Sequence, residues 1–120
     1  MDIEFHTYAF TQFGVDDTGS YGHSVKVFGQ RRTAIEEMFN KFSHDVKWIA
    51  SADSALEQIK NMISKPEQMS STTAKFNVRI DKYHNIELSA YATTDSIHLE
   101  YNLDDGEQWQ LYEVKDCILE

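Results

Sequence analysis

The sequence predicts a single α+β domain, in which an antiparallel sheet of chain order ββ-αα-ββββ carries two helices packed on one face. Three observations support this prediction. Apolar residues alternate with period two near both ends of the chain, they recur with helical spacing in the middle, and the last connections are too short for crossover helices. We expect one domain spanning residues 1–120, because a chain of this length supplies a single core.

The N-terminal part of the chain predicts a β-hairpin with a long loop. The stretch DIEFHTYAFTQF alternates with period two, and SVKVFG resumes an extended pattern after the turn-rich GVDDTGSYGH. A phosphate-binding loop would lead into a helix N-terminus, whereas this loop leads into a strand. A calcium-binding loop would need alternating oxygen ligands and a distal glutamate, and this spacing is missing from the sequence. We therefore interpret the loop as a hairpin connection.

The first helix is predicted from TAIEEMFNKFSH, where apolar residues recur on one helical face. Those residues are Ile35, Met38, Phe39 and Phe42. Thr33 and Glu36 have the spacing of a capping box, so we expect the helix to begin near Thr33. Glu37 and Lys41 stand four residues apart and are expected to form an exposed ion pair.

A second helix is predicted to begin near Ser51 or Asp53 and to end at Pro66. Its apolar stripe consists of Leu56, Ile59, Met62 and Ile63. The segment DVKWIAS between the two helices predicts either a brief strand or a buried connector, and the pattern does not separate these alternatives.

Four strands are predicted after the second helix. AKFNVRI, IELSAYA and IHLEYNL alternate cleanly, as half-buried strands do. In QWQLYEV the alternation slips between Leu111 and Val114, which indicates a bulge or an edge position. The connections DKYHN, TTDS and DDGE are short, so we expect an antiparallel meander.

Charge restricts the partners of this chain. Twenty acids against eleven Lys and Arg residues give a net charge of −9, and eight acids against one base lie from Asp95 onward. Such a field repels phosphate backbones and anionic lipid headgroups. We therefore expect no direct nucleic-acid or membrane binding, and a basic protein is the favoured partner.

The cysteine content and the start of the chain indicate a cytoplasmic protein. The single cysteine, Cys117, has no intrachain partner for a disulfide and no second thiol for a zinc site, so we expect neither a metal nor a cofactor. The N-terminus lacks a basic start followed by an apolar core, and no apolar run approaches the roughly 20 residues that span a bilayer.

Catalytic patterns are weak, and we expect the protein not to be an enzyme. The sequence has no Gly-x-Ser-x-Gly elbow, and its five histidines are not spaced as local ligand pairs. One alternative is a small enzyme or ligand-binding domain that uses His6, His98 and Glu100. If their strands were adjacent, these residues and Glu4 would form an acid–base cluster.

The strongest candidate contact surface lies in NLDDGEQWQLYE. Trp109 and Tyr112 are expected on opposite faces of the last strand, so at least one of them should lie outside the core. Exposed aromatics supply anchor area, and neighbouring carboxylates attract Arg and Lys. The predicted partner-binding residues are Glu100, Asp104, Asp105, Glu107, Trp109 and Tyr112, with Asp16 and Asp17 as a second contribution.

These features favour a small acidic inhibitor whose carboxylates occupy the sites at which a partner protein binds phosphates. By analogy of size and charge, we interpret the chain as an immunity- or antitoxin-type protein that neutralises a basic bacterial toxin, such as a nuclease, or another nucleic-acid-processing protein. The other alternative is a homodimerising accessory subunit, in which the last strand pairs edge to edge with its copy. The sequence leaves monomer and homodimer open.

Overall fold

The computed structural model describes residues 5–15, 21–64, 72–93, 96–103 and 108–119. It confirms the α+β prediction, with two strands, two helices and four strands in chain order. The strands are β1 (Phe5–Val15), β2 (Tyr21–Phe28), β3 (Thr72–Arg79), β4 (Asn85–Ala92), β5 (Ser96–Leu103) and β6 (Gln108–Leu119). The helices are α1 (Arg31–Val46) and α2 (Asp53–Ile63), and a short 3₁₀ turn (Ala50–Ala52) precedes α2.

All six strands form one antiparallel sheet in the order β2-β1-β6-β5-β4-β3. The last four strands form the predicted meander, and the N-terminal hairpin joins it through β1, which pairs with β6 from Phe5 opposite Leu119 to Val15 opposite Trp109. β1 and β6 are therefore neighbours in the middle of the sheet.

The prediction of a bulge or an edge position for the last strand is wrong. β6 pairs with β1 on one side and with β5 on the other, and both registers run without interruption. The alternation slips because both faces of β6 carry apolar side chains. Tyr112 and Val114 are buried in the core on one face, whereas Trp109 contacts the ring of Phe13 on the other.

The core lies between the helices and one face of the sheet. In β4, the residues Ile86, Leu88, Ala90 and Ala92 are buried and the intervening positions are not, as the predicted alternation requires. The buried residues of the helices are Ala34, Ile35, Met38, Phe42 and Val46 in α1, and Ala55, Leu56, Ile59 and Ile63 in α2. Both predicted stripes are thus confirmed, with Phe39 and Met62 at their partly buried margins.

Several local details differ from the sequence predictions. α1 begins at Arg31, before Thr33, and its N-cap residue Gln30 makes no side-chain capping bond, so the predicted capping box is not formed. Lys41 pairs with Asp45, at 2.8 Å, rather than with Glu37. α2 ends at Ile63, and the predicted stop at Pro66 lies outside the described residues.

The segment between the helices is a connector rather than a strand. Ile49 is buried in it, whereas Trp48 is 60% exposed. The indole of Trp48 donates a hydrogen bond to the carbonyl oxygen of Asp45 at 3.0 Å. This bond satisfies a carbonyl group in the last turn of α1.

A partly buried hydrogen bond joins α1 to the central strand β6. The hydroxyl of Tyr112, which has no exposed surface, donates to Asp45 Oδ2 at 2.6 Å, and its ring meets Phe42 edge to face with centroids 5.3 Å apart. Burial, together with the adjacent Asp45 carboxylate, raises the pKa of Tyr112 far above its usual value. The hydroxyl therefore remains protonated and keeps donating to Asp45.

Replacing Tyr112 by Phe tests this anchor. Tyr112→Phe keeps the ring but removes a donor to a carboxylate, so we expect the free energy of unfolding in urea to fall by about 1.5–3 kcal/mol. Tyr83→Phe is the matched control, because Tyr83 is 81% exposed and its ring makes little contact with the core. Equal stability of both variants and the wild type would contradict the anchoring role.

Candidate protein-binding face

The sheet surface opposite the helices, called the open face, carries a partly exposed aromatic pair. Phe13 of β1 and Trp109 of β6 meet edge to face, with ring centroids 5.8 Å apart and planes at 80°. Phe13 is 39% exposed, and Trp109 is half-buried. Leu111, opposite Phe13 in the β1–β6 register, is also half-buried and extends the apolar surface along β6.

Carboxylates border this apolar surface. Glu100 of β5 lies opposite Leu111, and Glu113 lies opposite Thr11. On the next strand, Glu87 lies opposite Asn102. Within the described chain, Glu100 and Glu87 form no ion pair, so their charges remain available at the surface.

Glu113 belongs to a small polar cluster around His98. The Nε2 atom of His98 lies 2.8 Å from Glu113 Oε2 and 3.2 Å from Ser96 Oγ, and the Tyr91 ring meets the imidazole edge to face. A catalytic relay places the acid and the nucleophile on opposite nitrogens of the imidazole. Here both oxygens converge on one nitrogen, so the cluster does not have the geometry that activates a serine.

The acid–base cluster considered for His6 and His98 required adjacent strands, and this condition is not met. β6 lies between β1, which carries His6, and β5, which carries His98. Glu4 lies outside the described residues. In the part of the chain that the structure describes, no group of three or more His, Cys, Asp or Glu residues could hold a metal ion.

The two acidic segments of the sequence connect strands at the same end of the sheet. Val15, the last residue of β1, lies opposite both Tyr21 and Trp109, and Leu103 at the end of β5 lies opposite Gln108. The intervening segments 16–20 and 104–107 carry Asp16, Asp17, Asp104, Asp105 and Glu107. The segments lie outside the described residues. Because of their composition, we call the end of the sheet at which they connect the strands, where Trp109 also lies, the acidic end.

Of the predicted partner-binding residues that the structure describes, Trp109 and Glu100 lie on the open face, and Tyr112 does not. Tyr112 has no exposed surface, so its assignment as a partner contact is wrong. An odd sequence separation places Trp109 and Tyr112 on opposite faces, and the helices cover the face of Tyr112. Phe13 and Leu111 were missed. Their signal was the presence of apolar residues on both faces of β1 and β6, which indicates an apolar surface outside the helix-covered core.

Gly14 fixes the approach of β1 to β6 beside the aromatic pair. It lies opposite Gln110, and a Cβ atom at this position would collide with the carbonyl oxygen of Trp109 and the side chain of Gln110. One of these groups is backbone and cannot rotate away. The close approach therefore requires glycine for lack of space.

Gly14→Ala should lower the free energy of unfolding by about 1–3 kcal/mol, because the added methyl group forces the two strands apart. Gly29→Ala is the matched control, since a Cβ atom there meets nothing within 4 Å. Urea denaturation measures both changes. Similar effects at the two glycines would contradict the crowding at Gly14.

An ordered turn between β3 and β4 lies at the same end of the sheet. Asp81 Oδ1 accepts the backbone N–H groups of Tyr83 and His84, each at 2.8 Å. The Arg79 guanidinium donates to the carbonyl oxygens of Asp81 and Lys82 at 3.1 and 3.3 Å. The hydrogen bond from Tyr83 is the main cause that lowers the pKa of Asp81 below its ordinary 3.8.

The lowered pKa predicts a pH dependence for this turn. Ionised Asp81 accepts both N–H groups, so the turn is held at higher pH and loosens as the pH falls through a pKa below 3.8. The amide signals of Tyr83 and His84, followed by NMR, should shift with that midpoint, and Asp81→Asn should abolish the transition. A midpoint above 3.8 in the wild type would contradict the assignment.

Comparison of the chain with protein-family models, curated proteins and solved structures gives no match in any of the three. Among the described residues, no helix is long and apolar enough to cross a membrane.

Proposed function

We propose that this chain is a small acidic binding protein of the immunity or antitoxin type, which neutralises a basic toxin or nucleic-acid-processing protein by occupying its phosphate-binding surface. One observation carries the proposal: the Phe13–Trp109 pair is partly exposed on the open face, at the end of the sheet where the acidic segments 16–20 and 104–107 connect the strands. The protein acts by binding rather than by catalysis.

The aromatic pair supports a protein partner. Large, well-supported rings at the centre of a patch supply most of the binding energy of many interfaces. Trp109 is held by its contact with Phe13 and by strands on both sides, so little side-chain freedom is lost on docking. A partner that covers Phe13 and Trp109 removes apolar surface from water, at about 25 cal/mol per Å².

The charges support a basic partner. Glu100 and Glu87 lie unpaired among the described residues, next to the apolar surface, and the whole chain carries −9. The open face also carries Lys75, Arg79 and Lys115. Attraction of cationic surfaces and repulsion of nucleic acid therefore come from the net charge of the whole chain. A protein that binds phosphates has a cationic groove, and carboxylates held on a rigid sheet are complementary to it. In this proposal, the partner and this chain meet in a reducing cytoplasm, where the single cysteine Cys117 needs no disulfide partner.

Capture of a partner followed by reconstitution tests the anchor residue. Wild-type protein, Trp109→Ala and Trp48→Ala serve as baits in the native host. A captured basic protein is then purified, and its activity and dissociation rate are measured with each bait. Trp48 is an exposed tryptophan on the helix side of the molecule and is therefore the matched control.

We expect wild type and Trp48→Ala to bind and inhibit the partner equally, whereas Trp109→Ala should dissociate about 30-fold faster, which corresponds to about 2 kcal/mol. Denaturation curves confirm that each bait is folded. A partner that all three baits bind equally, or that is bound without loss of its activity, would overturn the proposal.

A second experiment tests the charges at the acidic end of the sheet. The triple variant Asp104→Asn, Asp105→Asn, Glu107→Gln should slow association with the purified partner and flatten its salt dependence, because steering depends on local charge. The control triple removes the same net charge from exposed helical positions, Glu37→Gln, Asp53→Asn and Glu57→Gln. Equal slowing by both triples would show that net charge, rather than this end of the sheet, attracts the partner.

A further inference from the structure

A cavity lies between the two helices, on the side of the molecule away from the open face. Its volume is about 320 Å³, and described residues of both α1 and α2 line it. Most of its surface is apolar. Ile35 and Ile63, which are buried, and Phe39, which is half-buried, supply this apolar lining. Cavities of about this size, lined by apolar side chains and a few polar groups, are typical of small-molecule sites.

The charges of this lining do not balance. Arg32 and Glu36 both line the cavity and pair with each other, at 3.8 Å. Lys60, in the last turn of α2, lines it as well and forms no ion pair within the described chain. The lining therefore carries one unbalanced positive charge, although the whole chain carries −9. A ligand with a single negative charge complements it.

We propose that this cavity binds a small aliphatic monocarboxylate, whose chain contacts Ile35, Phe39 and Ile63 and whose carboxylate pairs with Lys60. The apolar lining removes the chain from water, and the ammonium group of Lys60 selects an anionic end over a neutral or cationic one. The cavity is formed by the helices and shares no residue with the open face. This inference therefore does not depend on the proposed function.

The dimensions of the cavity set the size of the ligand. A volume of about 320 Å³ holds on the order of ten heavy atoms, at about 30 Å³ each, the share of a water molecule in the liquid. Octanoate has this number of heavy atoms. Arg32 and Phe39 line the cavity seven residues apart on α1, which corresponds to about 10 Å along the helix axis. An extended chain of the length of octanoate is comparable with that distance.

Titration with octanoate, followed through the methyl signals in NMR spectra, tests the position of the site. The signals of Ile35 and Ile63 should shift with a dissociation constant of about 1 mM or less. Val27, which is 64% exposed on the open face, reports non-specific adsorption and should not shift. Hexanoate should bind about tenfold more weakly, because each buried methylene group contributes roughly fourfold. Unchanged signals of Ile35 and Ile63, or equal shifts at Val27, would overturn the proposal.

Substitution of Lys60 tests the role of the carboxylate. Lys60→Gln should weaken octanoate binding about threefold, the modest effect expected of an exposed ion pair, whereas Lys60→Arg should preserve binding. Octanol and octylamine should bind the wild type more weakly than octanoate. Lys47→Gln is the matched control, because Lys47 is exposed at the far end of α1 and does not line the cavity. Equal binding of octanoate and octanol, or equal effects of Lys60→Gln and Lys47→Gln, would indicate an apolar groove without charge selection and would overturn the inference.

Discussion

The pairing of β1 with β6 is the constraint on which the rest of the structure depends. It joins the N-terminal hairpin to the C-terminal meander and makes β6 a central strand. β6 lies between β1 and β5, and residues on both of its faces pack against other parts of the molecule. Tyr112 lies under α1 and bonds to Asp45, while Trp109 lies against Phe13 on the opposite surface. Gly14 allows the two backbones to approach closely enough for both arrangements.

The same pairing gives the sheet two chemically different faces. One face is covered by helices whose inward residues are apolar. Among the described residues, the buried core consists of hydrophobic residues. The other mixes aromatic and aliphatic side chains with three acids and three bases: Glu87, Glu100, Glu113, Lys75, Arg79 and Lys115. His98 and Glu113 pair with each other on that face, so the mixture offers contact area and charge rather than an activated group. This is why binding is the function that we propose.

The sequence predicted those features that local periodicity determines. The strands, the apolar stripes of the helices, the hairpin and the meander follow from spacing between neighbouring residues, and the structure has all of them. The β1–β6 pairing joins residues at opposite ends of the chain, and no local pattern encodes it. The prediction of an edge for β6 failed for this reason, since apolar residues on both faces of a central strand resemble a disturbed alternation.

Local rules also failed where tertiary contacts compete with them. Thr33 and Glu36 have the spacing of a capping box, but α1 begins at Arg31. Lys41 binds Asp45 instead of Glu37, and Asp45 is at the same time held by the hydroxyl of Tyr112. For the candidate site, sequence reasoning found Trp109 and Glu100 but missed Phe13, because the partner of an aromatic residue depends on which strands are adjacent.

The position of β6 also determines the order in which the chain can fold. During synthesis, residues 5–15 emerge long before their partner strand, residues 108–119. The hairpin of β1 and β2 therefore cannot pair with β6 until the residues between them have been translated. Contacts between residues this distant in sequence form slowly, because a large loop must close first. A chain that ends before residue 108 would therefore contain the hairpin and the strands β3, β4 and β5, but not the strand that joins them.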